Sequence, residues 1–175
     1  ALVLAGGFGT RLRPLSCTRS KMLFPVANKP LLDWTLEQLA RSKTTEVVLA
    51  VNYMAEAFRQ RYGRKAFGMR IHHSRDIYPA TRTVTSFRGP LRTAGPIKRA
   101  EKLLGRREPF LVMNGDILTD INYRELMRRH REKRDATATI ALYKVEDPSR
   151  YGVAEVARDD RIKRFVEKPP REKAP

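Results

Sequence analysis

The residues best suited to chemistry stand in three short stretches. The first is Gly6-Gly7-Phe8-Gly9-Thr10-Arg11-Leu12-Arg13-Pro14, directly after the apolar run Ala1-Leu-Val-Leu-Ala5. Glycines let a backbone approach an anion closely and turn its N–H groups toward phosphate oxygens. Arg11 lies in this loop and Lys21 follows it; the first offers a planar fork to a polyphosphate, the second a point charge. Two named phosphate loops are excluded. No Gly-Lys-Ser/Thr triplet occurs, and a dinucleotide fingerprint starting at Gly7 would need glycine or alanine where Leu12 stands. The second stretch is Met113-Asn-Gly-Asp116. A carboxylate where a buried strand stops can hold a hard divalent cation through oxygen, or it can cap a helix or form a turn. The third is Phe165-Val-Glu-Lys-Pro169, in which Glu167 can accept from hydroxyls and Lys168 can meet a phosphate. Taken alone, that pair also reads as an ordinary surface ion pair.

Elements must position these residues. Ala1–Ala5, Val47–Val51 and Phe110–Met113 are short apolar runs that predict buried strands, with a weaker strand over Met69–Ser74. Pro30 opens a helix whose Leu32, Leu36, Leu39 and Ala40 share one face. Met54 to Tyr62 predicts a second helix, closed by Gly63. Ile97, Ala100 and Leu104 mark a third, from about Gly95 to Gly105; Tyr123, Leu126, Met127 and His130 mark a fourth. Alternation predicts a strand over Ala136–Tyr143, and a late hairpin of Val153–Ala157 with Arg161–Val166 turns at Asp159-Asp160 and suggests a mixed sheet edge. Asp76 to Pro90 has neither period and reads as a basic loop insertion. Strands alternating with helices predict an α/β sheet, mostly parallel. In such a sheet ligands sit beyond the carboxyl ends of the strands, where the first two stretches fall.

Composition narrows the function. The 175 residues carry a formal net charge of +17. Residues 61–107 hold 13 basic and 2 acidic side chains, net +11, so the excess is internal and not a tail. It suits a rim that draws in an anionic substrate. A nucleic-acid module is disfavoured, since no cluster of aromatics forms a stacking platform. The longest apolar stretch, Ala1 to Phe8, is broken by glycine and too short to span a bilayer. Cys17 is the only cysteine, which excludes an intrachain disulfide and a multi-cysteine zinc site and suits a reducing cytoplasm. It has no partner base. His72 and His73 are neighbours on a strand and face opposite sides, so they make no ligand pair. His130 belongs at the core edge and Trp34 in packing.

The whole of 6–15, with Lys21 and Phe24-Pro-Val-Ala-Asn-Lys-Pro30, resembles the signature of the sugar-phosphate nucleotidylyltransferases. The likeness continues through Asp116, Pro148-Ser-Arg-Tyr-Gly-Val153 and Phe165-Val-Glu-Lys-Pro169. The Pro-Val-Ala-Asn-Lys-Pro wording and the segment Val145 to Val153 most resemble the branch that joins GTP to mannose 1-phosphate. The resemblance implies a three-layer, Rossmann-like nucleotidyltransferase fold with a mostly parallel mixed sheet, of which residues 1–175 are the N-terminal portion, truncated at its C-terminus. It implies nucleotide contacts from Leu4, Ala5, Gly6, Gly7, Gly9, Thr10, Arg11, Lys21, Pro90 and Thr93. Arg11, Lys21 and Lys168 are the implied catalytic cations, and Asp116 the ligand of Mg2+ or another divalent cation. Gly152, Glu167 and Lys168 are implied at the sugar phosphate. Expected partners are a nucleoside triphosphate and a sugar 1-phosphate, with a homo-oligomer for the full-length protein and no membrane.

Three departures from the family pattern modify these expectations. Arg92 stands where the family's base-contacting loop has glycine, and a side chain there is expected to block or re-aim the nucleotide. The basic segment 76–90 lengthens a connection that is short in the family. The chain also stops before the family's second metal-binding aspartate, so residues 1–175 alone are expected not to transfer. A non-catalytic, nucleotide-sugar-binding regulatory or scaffold relative is the alternative reading; Arg92 and the basic insertion favour it, and the intact Arg11, Lys21 and Asp116 oppose it.

Overall fold

A computed structural model describes residues 1–75, 93–105 and 108–173. Pro90, Arg92 and the 76–90 segment therefore lie outside the described residues. Two compact units form, Ala1–Lys133 and Arg134–Pro175, and each is described by itself.

The elements of the first unit are, in chain order, β1 (Leu2–Leu4), β2 (Pro25–Val26), β3 (Lys29–Pro30), α1 (Leu31–Arg41), β4 (Glu46–Val51), α2 (Ala55–Tyr62), β5 (Lys65–Ala66), β6 (Met69–Arg75), α3 (Ala94–Arg99), α4 (Glu101–Leu104), β7 (Val112–Asn114) and α5 (Tyr123–Glu132). The main sheet runs β5-β6-β4-β1-β7. β1 pairs in parallel with β4 and β7, and β4 in parallel with β6; β5 is antiparallel to β6. The sheet is thus mostly parallel with one mixed edge. That edge is the short β5, not the late hairpin, which forms a two-stranded sheet of its own.

Alternation along the strands explains the three layers. Val3, Val47, Leu49, Val51 and Ile71 face one side, where Leu32, Leu36 and Leu39 of α1 and Phe58 and Tyr62 of α2 bury against them. Leu2, Val48 and Ala50 face the other, under Ala100, Ile97 and Leu104. Both faces are covered, so β4 reads as an unbroken apolar run. Each fully buried Leu or Val of these layers is worth about 1.5–3 kcal/mol.

The expected helix from Gly95 to Gly105 is two short ones, broken at Ala100, whose φ −82° and ψ 0° close α3 and open α4. α5 begins at Asn122, whose side chain accepts from the Glu125 amide at 3.1 Å, satisfying one of the helix's otherwise unpaired donors. Trp34 does pack as expected: its indole N–H donates to the Val26 carbonyl at 2.9 Å, and the Lys29 ammonium lies 3.4 Å over the ring. His72 and His73 part as predicted, toward Glu46 Oε2 at 3.2 Å and the Gly63 carbonyl at 2.8 Å.

The second unit is built on β8 (Gly152–Val156) and β9 (Ile162–Glu167), an antiparallel hairpin. The strand expected over Ala136–Tyr143 does not form. Ile140, Leu142 and Tyr143 are 49%, 54% and 90% exposed. Alternation supplies side-chain order only; a strand also needs a neighbour for its N–H and C=O groups, and among the described residues no strand pairs with this segment.

Candidate active site

The strand order sets the place. From β1 the chain adds β4 and then β6 on one side, and returns to put β7 on the other. The order reverses between β1 and β7, and in open α/β sheets the ligand crevice lies outside the carboxyl ends at that point. The loop that leaves β1 is the glycine loop, and the residues that leave β7 are Gly115 and Asp116.

The two strand ends are tied together. The Gly115 amide donates to the Leu4 carbonyl at 2.9 Å, while the Ala5 amide donates to the Ala50 carbonyl at 2.8 Å. A Cβ on Gly115 would lie 3.0 Å from Val3 Cγ1, 3.3 Å from Met22 Sδ and 3.4 Å from Leu32 Cδ1. Only glycine lets β7 come this close to the core, and this approach delivers Asp116 to the crevice. Met22 is buried in the same place, which fixes its neighbour Lys21. The Lys21 ammonium donates to Asp116 Oδ2, with both side chains about one-third exposed.

The glycine loop has its own internal order. Gly9 has φ +62°, a conformation costly for other residues, and a Cβ there would sit 3.3 Å from the Cβ atoms of both Lys21 and Ser16. Ala5 and Gly6 are buried. Gly7 is exposed, and nothing lies within 4 Å of where its Cβ would be, which leaves room for a ligand against the backbone. Thr10 and Arg11 stand exposed on a single 3-10 turn. Arg11 pairs with no carboxylate among the described residues. The crevice therefore presents a neutralised Lys21–Asp116 pair beside an uncompensated guanidinium, which suits a polyanion.

Sequence reasoning missed Ser16 and Tyr53. Ser16 Oγ donates to the Gly9 carbonyl at 2.8 Å, and Tyr53 Oη donates to the Ser16 and Cys17 carbonyls, each at 3.0 Å. One signal was available: Tyr53 follows the carboxyl end of β4, the edge of the sheet at which ligands are expected. Thr93 is exposed immediately before α3. A wide cavity opens at the opposite, amino ends of β1 and β4, around Ala1, Glu46 and Phe110, remote from all these residues.

In the second unit the hairpin register brings Gly152 opposite Glu167. A Cβ on Gly152 would lie 3.1 Å from Glu167 Oε2, so the absent side chain leaves space for the carboxylate. The Lys168 amide donates to the Tyr151 carbonyl at 2.9 Å, and its ammonium is 3.6 Å from Glu167 Oε1. Gly152, Glu167 and Lys168 thus form one cluster at one end of the hairpin.

A model of the family described as nucleotidyl transferase matches residues 1–175, and the chain belongs to that family. It is 41% identical over 174 residues to a mannose-1-phosphate guanyltransferase of Hypocrea jecorina, covering 96% of this chain and 44% of that protein. It is 40% identical over 173 residues to mannose-1-phosphate guanyltransferase beta-B of Xenopus laevis, covering 97% and 45%. The chain thus spans less than half the length of these relatives. Among solved structures, HddC from Yersinia pseudotuberculosis, complexed with GMP-PN, aligns with a TM-score of 0.73 at 26% identity over 95% of this chain and 68% of that one.

Proposed function

We propose that the protein carrying this chain transfers a guanylyl group from GTP to mannose 1-phosphate, giving GDP-mannose and pyrophosphate. The observation that carries the reading is the pairing of Lys21 with Asp116 at the β1/β7 reversal, beside a glycine loop whose Arg11 pairs with no carboxylate among the described residues. The names of the curated relatives support the choice of base and sugar.

An oxygen of the sugar phosphate attacks the α-phosphorus of the triphosphate. The bond from that phosphorus to the β-phosphate bridge oxygen breaks, and pyrophosphate leaves. No group on the protein forms a covalent bond, so the chain contributes positioning and charge. The backbone from Leu4 to Thr10 is assigned to the nucleotide, with the N–H donors coming from the loop beyond Ala5, whose own amide is held by the Ala50 carbonyl. Lys21 binds phosphate oxygens, and Arg11 stabilises the charge that grows on the departing pyrophosphate. Glu167 is assigned to sugar hydroxyls, and Gly152 and Lys168 to the sugar phosphate, on the resemblance alone. Thr93 and Pro90 are assigned to the nucleotide on the resemblance alone.

A divalent cation fits Asp116. The carboxylate already faces a cation, the Lys21 ammonium, and it is partly exposed. Among the described residues no group of three or more His, Cys, Asp or Glu side chains could hold a metal. The other ligands would then be water and substrate phosphates, as is usual for magnesium. When bound, such an ion neutralises phosphate charge. No helix among the described residues is long and apolar enough to cross a membrane. The single cysteine, suited to a reducing compartment, supports placing the activity in the cytoplasm. The test is pyrophosphate release by the intact protein with mannose 1-phosphate and each of GTP, dTTP, UTP and ATP. Release with GTP is expected. Release only with another triphosphate rejects the guanylyl assignment, and release with none favours a non-catalytic relative.

A further inference from the structure

We propose that Tyr53 is a positioning residue for the glycine loop, clamping both of its ends so that Arg11 keeps the geometry needed at the phosphates. This rests on the nucleotide reading of the loop given above. Tyr53 comes from a different element, the short connection between β4 and α2. Its hydroxyl proton is shared between the Ser16 and Cys17 carbonyls, each 3.0 Å away. Its ring lies 5.5 Å from that of Phe8, tilted by 45°. Phe8 stands at the start of the loop, and Ser16-Cys17 at its end. One side chain therefore holds both ends of the segment that carries Arg11.

The segment has little else to hold it. From Thr10 to Leu15 every residue is exposed, and its only regular structure is single 3-10 turns, which are not stable alone. Within the loop, Ser16 Oγ fixes the Gly9 carbonyl at 2.8 Å. Tyr53 then fixes Ser16 to the sheet. Tyr53 lies outside both core clusters, so the fold does not need it for packing. Donors aimed at a reacting group act strongly only when they do not have to reorganise, and that is what a clamp supplies.

The binding of a triphosphate is spread over backbone, Lys21 and base, whereas the charge of Arg11 is needed most as pyrophosphate departs. Loosening the loop should therefore lower kcat further than it raises KM.

The test uses Tyr53→Phe, which keeps the ring contact and removes the donor, and Tyr53→Leu, which removes both. Steady-state transfer by the intact protein is combined with amide hydrogen exchange at Leu12, Arg13 and Cys17. These amides donate to Gly9, Thr10 and Pro14 carbonyls at 2.9, 3.3 and 3.0 Å and report loop opening. For Tyr53→Phe we expect kcat about tenfold lower, KM for the nucleotide at most about threefold higher, and several-fold faster exchange at those three amides, with β4 and α2 unchanged. Tyr53→Leu should show the same pattern, enlarged. Wild-type kcat and wild-type loop exchange in Tyr53→Phe overturn the proposal. So does acceleration spread evenly over the whole unit, which would mark Tyr53 as part of general stability. A wild-type protein that transfers nothing overturns the transferase reading and the positioning role of Tyr53 with it, whereas normal wild-type transfer with an unchanged Tyr53→Phe overturns the clamp alone.

Discussion

Lys21 and Asp116 are 95 positions apart in the chain, yet the lysine ammonium donates to Asp116 Oδ2 where β1 and β7 end side by side. Each residue supplies the counter-charge of the other in the absence of substrate. Removing the lysine leaves an uncompensated carboxylate and, on the proposed reading, also takes away a phosphate partner.

Lys21→Ala is therefore expected to raise KM for the nucleotide and to lower kcat, with kcat/KM falling by at least about 100-fold. Arg11→Ala should differ in kind: among the described residues Arg11 pairs with no carboxylate, and on the proposed reading its charge is needed most in the transition state. Its kcat should fall far more than its KM rises. Steady-state kinetics of the two variants, side by side, distinguish these roles.

Gly115→Ala should destabilise the first unit by about 1–3 kcal/mol, because the new methyl meets Val3, Met22 and Leu32 at 3.0–3.4 Å in a packed core. Urea unfolding measures the loss. Asp116 follows directly, so the same shift of backbone should also lower transfer.

Much of this arrangement can be read from the chain itself. The unbroken apolar run of Val47 to Val51 announces a strand covered on both faces, and Leu32, Leu36 and Leu39 announce the helix that covers one of them. Gly9 and Gly115 each stand where a side chain would collide or be strained. What local pattern cannot carry is who meets whom. The Lys21–Asp116 contact depends on the strand order, and the Tyr53 clamp depends on a loop folding back to β4. Ala136–Tyr143 shows the opposite failure: its alternation is real, but a strand forms only with a partner. Ala100 broke a helix face that its apolar period gave no reason to break.

Asp33 of α1 is buried and holds two residues of α2, accepting from Tyr62 Oη and from Arg61 Nη2, both at 2.6 Å. Asp33→Ala leaves the buried hydroxyl and the half-exposed guanidinium without a partner. A loss of about 2–3 kcal/mol in urea unfolding is expected, less than for a wholly buried pair because Arg61 reaches water. Asp33→Asn keeps an acceptor and should lose less.

Burial, and then the Asp33 carboxylate, push the Tyr62 hydroxyl above its ordinary value of 10.0. The unfolded chain ionises this tyrosine near its ordinary value, while the folded chain keeps it neutral. Its contribution to stability is therefore complete below about pH 10 and is lost as pH rises toward the folded value. Unfolding free energy should decline through that range, and the decline should be shallower in Tyr62→Phe.

The most direct test of the central claim is exchange of labelled pyrophosphate into GTP by the intact protein, supplied with GDP-mannose and magnesium. Label should enter GTP, and the rate should drop sharply in Arg11→Ala and Lys21→Ala. Label that enters dTTP from dTDP-glucose or UTP from UDP-glucose, but never GTP from GDP-mannose, would contradict the guanylyl assignment; no label from any nucleotide sugar would contradict the transferase itself.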